Sequence, residues 1–146
     1  MANSTQSSIE IPADPDQVMA VIADLDSYPQ WVDALSTVEV LTTRDDRPDT
    51  VRMVLEHKLL SDDYTVAYQW QPERVSWKLI EGRTLKAMDG AYEIEQIAAG
   101  TKVTYTLSVD VNLPLPGLLK RTAEKTIIDA ALKGLKRQVA AVRDGR

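Results

Sequence analysis

Proton transfer near neutral pH calls for a side chain such as histidine, and the chain has only one, His57. His57 ends an alternating apolar segment that begins at Val51, so the pattern predicts that it lies on the apolar face of a strand. There it could act as a general base with a tyrosine such as Tyr68 as the acid, or it could anchor the polar group of a ligand. The alternative is a structural histidine, either in the core and bonded to a tyrosine or a backbone carbonyl, or at a strand end and partly in water. The sequence favours this structural role over the functional one.

Six aromatic side chains form a second group, because period-two alternation directs them to one face of the predicted strands. They are Tyr64, Tyr68, Trp70, Trp77, Tyr92 and Tyr105. Phenylalanine is absent, so each aromatic carries a hydroxyl or an indole N–H that needs a partner when buried. Together with His57, these residues are the predicted lining of a ligand pocket. Simple core filling is the alternative for each aromatic, and the sequence leaves both open.

Paired carboxylates are also present, but turns and helix ends explain them better than acid–base or metal chemistry does. Asp24 and Asp26 are predicted to end one short helix and cap the next, where aspartate is favoured. The acidic pairs at 45–46 and 62–63 are typical of hairpin turns, and one histidine without cysteine leaves little to complete a transition-metal site. Phosphate-cradling glycine loops, zinc-protease spacing and nucleophile elbows are missing. We therefore expect no metal and no cofactor.

The composition predicts a single domain spanning residues 1–146, since 146 residues bury roughly two-thirds of their unfolded surface. The absence of cysteine excludes disulfides and thiolate chemistry. A net charge of -5 argues against a nucleic-acid partner. The polar N-terminus lacks a signal-peptide layout, and no apolar run approaches the roughly 20 residues of a membrane span. We expect a cytoplasmic protein without stable membrane insertion, either a monomer or a homodimer.

Helix and strand signals follow one another in a simple order. Residues 8–11 predict a first strand, and residues 14–17 combine an N-cap, an early proline and a capping box at the start of a helix. Residues 28–31 predict a second short helix. From 38 to 109 the period is two, which predicts about six antiparallel strands joined by short turns. The isolated Gly90 predicts a bulge.

A long helix is predicted to follow the Pro- and Gly-rich break at 113–117 and to run to about Val142. Its apolar stripe consists of Ile127, Ile128, Ala131, Leu132, Leu135, Val139 and Val142. Residues 121–125 offer no large hydrophobe, and Arg121 and Lys125 are predicted to face solvent. This half should therefore pack loosely over the sheet and leave a cavity. We expect ligand access at the open end of the sheet, gated by residues 113–117 and a hairpin.

Two stretches resemble the START-like (SRPBCC) superfamily, in particular its polyketide cyclase/dehydrase-like and coenzyme-Q-binding-like branch. Residues 11–31, which include Asp14-Pro15 and Tyr28-Pro29-Gln30-Trp31, resemble the family's opening, and residues 114–136 resemble its closing helix. The resemblance implies an α+β helix-grip fold. In that fold a curved antiparallel sheet of about six to seven strands surrounds a long C-terminal helix, and two short helices follow the first strand. It transfers no catalytic residue, because the matching positions are structural.

Three functions remain open on this evidence. The leading one is binding or transport of a small hydrophobic molecule, such as a lipid, a quinone or a polyketide-like aromatic. The second is a cyclase, aromatase or dehydratase acting on a polyketide-like substrate, with His57 and Tyr68 as acid–base groups. The third is a protein-interaction module with a vestigial pocket, which predicts a dry, filled interior.

Overall fold

The computed structural model describes residues 4–58, 61–112 and 116–143, which form seven antiparallel strands and three α-helices. The strands are β1 (Thr5–Ile11), β2 (Leu35–Arg44), β3 (Arg47–Glu56), β4 (Ser61–Gln71), β5 (Arg74–Gly82), β6 (Leu85–Ile97) and β7 (Gly100–Val111). The helices are α1 (Pro15–Ala23), α2 (Tyr28–Trp31) and α3 (Gly117–Arg143), and a 3-10 turn at Leu25–Ser27 lies between the first two. Among these described helices, none combines the length and apolar character needed to cross a membrane.

The strands form a single sheet in the order β1-β7-β6-β5-β4-β3-β2. The helices α1 and α2 carry the chain from β1 at one edge to β2 at the other, and a meander then returns to β7 beside β1. Helix α3 contacts β1, β7, α1 and α2. The predicted α+β helix-grip fold, a curved sheet around a long C-terminal helix, is confirmed.

Helix α1 begins where the capping-box pattern predicts. The side-chain oxygen of Gln17 accepts a hydrogen bond from the backbone N–H of Asp14 at 3.0 Å, and Pro15 occupies the first helical position. The apolar face of the helix then enters the core through Val18, Met19, Val21 and Ile22. Local sequence and tertiary packing therefore agree at this element.

A glycine allows α3 to pass close to α2. A Cβ on Gly134 would lie 2.0 Å from the backbone oxygen of Trp31, so no other residue fits without moving one helix. Glycine inside a helix costs about 1 kcal/mol relative to alanine, which the close packing offsets. The ring of Trp31 also meets Tyr28 edge-on with centroids 4.8 Å apart. This junction fixes the position of Tyr28 beneath α3.

The bulge predicted at Gly90 is wrong. Gly90 pairs with Trp77 in the regular β5–β6 ladder, and the irregularity in β6 lies between Leu85 and Ala87. A Cβ on Gly90 would lie 2.2 Å from the Trp77 indole. An isolated glycine in a strand marks either a bulge or a close approach, and here it makes room for the indole.

A buried carboxylate holds the first half of α3 to the sheet. The side chain of Glu124 accepts hydrogen bonds from the Thr5 hydroxyl at 2.6 Å and from the Val109 backbone N–H at 2.8 Å. Glu124 thus supplies the acceptor for a backbone N–H near the C-terminal end of β7. Within the half that the sequence predicts to pack loosely, Ala123 and Glu124 are buried, whereas Leu118 and Leu119 are exposed. Arg121 and Lys125 are exposed.

Candidate ligand-binding site

An internal cavity of about 50 Å³ lies between the sheet, α2 and the middle of α3. All five tyrosines of the chain line it: Tyr28, Tyr64, Tyr68, Tyr92 and Tyr105. The other lining residues are Val32, Ala34, Leu35, Met53, Leu55, Trp77, Met88, Leu107, Ile127 and Ala131. None of these described residues carries a charge. An apolar lining into which every tyrosine converges is the strongest candidate site of the fold.

Alternation along the central strands places the rings side by side. The register sets Tyr68 of β4 opposite Trp77 of β5, and Tyr92 of β6 opposite Tyr105 of β7. The Trp77 centroid lies 5.6 Å from Tyr68, 5.5 Å from Tyr92 and 5.6 Å from Tyr105. Tyr92 and Tyr105 are 4.7 Å apart. These are favourable aromatic separations, so the four rings form one continuous wall centred on Trp77.

Two of the cavity tyrosines find partners within the protein. The hydroxyl of Tyr28 donates a hydrogen bond to the backbone carbonyl of Ile22. The hydroxyl of Tyr64 lies 3.5 Å from the Met53 sulfur, which is a weak acceptor. Tyr28 is thus anchored firmly, and Tyr64 only weakly.

The other three hydroxyls, those of Tyr68, Tyr92 and Tyr105, form no hydrogen bond within the described part of the chain. Their side chains are buried, at 3 to 6% exposure. Among the described residues, only the indole nitrogen of Trp31 is fully buried without a partner, so the three hydroxyl oxygens keep some accessible surface. The cavity therefore presents three polar groups whose hydrogen-bonding capacity the protein leaves unused.

Burial raises the pKa of all five cavity tyrosines above the usual value, with smaller contributions from neighbouring phenols and carboxylates. Their phenols are therefore neutral throughout the physiological pH range. A neutral phenol donates a hydrogen bond readily, but it does not take up a proton as a general base would. The wall thus offers hydrogen-bond donors to a ligand.

The cavity is small in this conformation. A volume of about 50 Å³ holds a few water molecules, since one water needs roughly 10–15 Å³. Sites for drug-sized ligands span about 300–1,000 Å³. Such a ligand enters only if part of the wall moves, and the flexible thioethers Met53 and Met88 belong to that wall.

His57 lies just beyond the last residue of β3, Glu56, and is half-buried. Its backbone carbonyl accepts a hydrogen bond from the Ser61 hydroxyl at 3.2 Å. It is not among the described residues that line the cavity. The cavity therefore does not bring His57 and Tyr68 together. Of the predicted gate, residues 113–115 lie outside the described residues.

Trp70 also lies outside the cavity lining, although it continues the row of rings. Its indole N–H donates to the Pro48 carbonyl at 2.7 Å, and its ring stacks on Tyr68 with centroids 5.5 Å apart. The guanidinium of Arg47 lies over the Trp70 ring at 5.2 Å from its centroid. Tyr64, Tyr68, Trp77, Tyr92 and Tyr105 line the cavity, whereas Trp70 connects their wall to the surface.

Several lining residues were not predicted. Tyr28 belongs to the motif at residues 28–31, and only its place on the same side of the short helix as Val32 indicates an inward direction. Met88 continues the alternation of Gly90 and Tyr92, a signal that the predicted bulge concealed. The contributions of Ile127 and Ala131 depend on how α3 sits on the sheet, which periodicity alone does not determine.

The fold and its cavity together define a helix-grip protein with an internal site. Three similar solved structures share this architecture. A START superfamily protein from Mycobacterium smegmatis has a TM-score of 0.87 at 20% identity and covers 95% of this chain and 98% of its own. A protein from Thermus thermophilus has a TM-score of 0.82 at 23% identity, with 96% and 99% covered. The Zhui aromatase/cyclase from a Streptomyces species has a TM-score of 0.83 at 15% identity, with 97% and 95% covered.

Residues 2–140 match the family described as polyketide cyclase / dehydrase and lipid transport. The chain belongs to this family, and the resemblance to the START-like superfamily is confirmed. No curated protein matches the chain. The identities to the three structures are low, so those likenesses show the fold alone.

Proposed function

We propose that the protein binds a small hydrophobic ligand, such as a lipid, a quinone or a polyketide-like aromatic, in the tyrosine-lined cavity. An uncharged wall disfavours an ionised ligand group, because burying an unpaired charge is costly. The family description, which covers both polyketide cyclisation and lipid transport, supports the same class of ligand. The ligand would enter by displacing rings and thioethers that line the small cavity.

One observation carries the proposal, namely the unpartnered hydroxyls of Tyr68, Tyr92 and Tyr105. Each of these hydroxyls lacks a partner among the described residues and keeps some accessible surface, so each is available to a ligand that reaches the cavity. A ligand with a carbonyl or hydroxyl oxygen supplies the missing acceptor. The three donors would then orient the ligand.

The two alternatives fit the cavity less well. An enzyme could use Tyr68 as a neutral proton donor, but no described lining residue takes up a proton near neutral pH. An interaction module predicts a filled interior, and the small volume of about 50 Å³ agrees with that. It does not explain why three tyrosines of the lining have hydroxyls without a partner among the described residues.

The test compares ligand binding by the wild type with a variant whose cavity is blocked. Ala131 is buried in the lining, and Ala131→Leu places a larger apolar side chain in the limited space. Ala130 precedes it on α3 and is exposed, so Ala130→Leu is the matched control. The probes are a long-chain fatty acid, a naphthoquinone and a hydroxyanthraquinone. The readouts are tryptophan fluorescence, to which Trp77 in the wall responds, and melting temperature.

We expect at least one probe to quench the fluorescence and raise the melting temperature of the wild type and of Ala130→Leu. Ala131→Leu should lose at least about tenfold in affinity while keeping the wild-type circular dichroism. No response to any probe contradicts the proposal. Equal binding by all three proteins would place the ligand elsewhere and contradict it as well.

A further inference from the structure

The start of α3 exposes two adjacent leucines. Leu118 is 78% exposed and Leu119 is 41% exposed. Other large hydrophobic side chains at the described surface, such as Leu41 and Ile80, stand singly on strands. Scattered apolar residues need no explanation, whereas adjacent ones at the end of an element point to an interaction.

Cations surround these leucines. Arg121 and Lys125 are exposed and Lys120 is half-buried, while the one acid within these turns, Glu124, is buried against the sheet. The next carboxylate, Asp129, forms an ion pair with Lys125 at 2.9 Å. In a protein of net charge -5, this surface has the opposite sign to the molecule as a whole. We call Leu118, Leu119, Lys120, Arg121 and Lys125 the α3 patch.

The composition of the α3 patch does not serve the helix itself. The first turn of α3 holds no acidic residue, although the helix dipole favours acids there and disfavours cations. Exposed leucines likewise gain nothing from folding. Two local preferences are thus broken at one place, which is typical of a functional surface.

We propose that the α3 patch docks the protein on an anionic membrane surface. Leucines that enter the interface together with cations that meet lipid phosphates are the chemistry of peripheral binding. A lipid surface fits better than a protein partner, because Leu118–Lys125 spans only about 11 Å of helix. A stable protein interface needs about 800 Å² from each partner.

The docking proposal does not depend on what the cavity holds. Leu118 precedes Ile127, a cavity residue, by nine positions, which is about 14 Å along α3. If the cavity binds a hydrophobic molecule, docking through the α3 patch brings the cavity close to the lipid bilayer, in which such molecules dissolve. Vesicle binding by the empty protein tests docking separately from ligand binding.

The experiment is vesicle flotation of the full chain with two lipid compositions, pure phosphatidylcholine and phosphatidylcholine with about one-third phosphatidylglycerol. We expect at least about tenfold more protein on the anionic vesicles, and a large loss when salt rises from about 0.05 to about 0.5 M. The double variant Leu118→Ser/Leu119→Ser and the double variant Lys120→Gln/Arg121→Gln should each bind at least about tenfold less.

Matched controls alter equivalent side chains elsewhere. Ile80→Ser removes a residue that is 54% exposed, and Lys133→Gln/Lys136→Gln removes two exposed cations farther along α3. Both should bind vesicles like the wild type, and all variants should keep the wild-type melting temperature. Equal flotation on both lipids, or equal losses in the control and patch variants, overturns the proposal. A dimer that forms without lipid and is lost in the leucine variant would also overturn it, since the patch would then bind a second copy.

Discussion

Removing a single hydroxyl should lower the stability of the protein at one cavity tyrosine, Tyr28, but not at another, Tyr105. Tyr28 is 4% exposed and donates to the Ile22 carbonyl, so Tyr28→Phe deletes a buried hydrogen bond and leaves a buried acceptor unsatisfied. We expect the free energy of unfolding to fall by about 1–2 kcal/mol. Tyr105 is 6% exposed, and its hydroxyl has no partner in the described chain. Tyr105→Phe should therefore leave stability unchanged or raise it by up to about 1 kcal/mol.

The assay is urea unfolding of the empty protein, followed by tryptophan fluorescence at neutral pH, where every phenol is neutral. Tyr92→Phe serves as a second member of the unpartnered class and should behave like Tyr105→Phe. The same unpartnered variants should bind an oxygen-bearing ligand more weakly, by about five- to tenfold for each hydrogen bond lost. Equal destabilisation by Tyr28→Phe and Tyr105→Phe would refute the reasoning, because it would mean that the Tyr105 hydroxyl is already satisfied.

Three further predictions concern the packing and the charges around the cavity. Gly90→Ala places a methyl group 2.2 Å from the Trp77 indole, so the free energy of unfolding in urea should fall by about 1–3 kcal/mol. An unchanged unfolding midpoint and emission spectrum would contradict the packing described. Glu124→Ala should cost about 2–3 kcal/mol in the same assay, since a buried N–H and a buried hydroxyl lose their acceptor, whereas Glu124→Gln, which keeps one oxygen, should lose less. The raised pKa of every cavity tyrosine means that unfolded phenols ionise near pH 10 while folded ones stay neutral, so stability is retained below about pH 10 and lost above it. Absorbance at the phenolate band should then appear together with alkaline unfolding, and phenolate in the folded protein would contradict this.

The sequence predicts those parts of the fold that local patterns determine. The capping box at Asp14 and Gln17 placed the start of α1, and period-two alternation placed the ring-bearing strands, because both signals depend on neighbours in the chain. The helix-grip fold itself came from the resemblance of this element order, and of residues 11–31 and 114–136, to the START-like superfamily. Gly90 shows the limit of such signals. A strand glycine has two physical causes, and only the partner strand reveals which one applies.

The candidate site depends more on tertiary contacts, and there the sequence was less informative. Glu124 lies in a mixed stretch that predicts a solvated helix face, yet it is buried and accepts a hydrogen bond from the Val109 backbone N–H. The alternating pattern predicts that His57 lies on the apolar face of a strand, but β3 ends one residue before it. The volume of the cavity follows from how side chains fill space across four strands and a helix, which no pattern along the chain encodes.

The central claim is that the tyrosine-lined cavity opens to hold a small hydrophobic molecule. Native mass spectrometry of protein purified without detergent or organic solvent tests it most directly, with Ala131→Leu and Ala130→Leu measured alongside. We expect an excess mass on the wild type and on Ala130→Leu that is released as an organic-extractable compound upon denaturation, and a bare mass for Ala131→Leu. A bare mass for the wild type, even after incubation with a lipid extract of the cells that produced it, would contradict the claim.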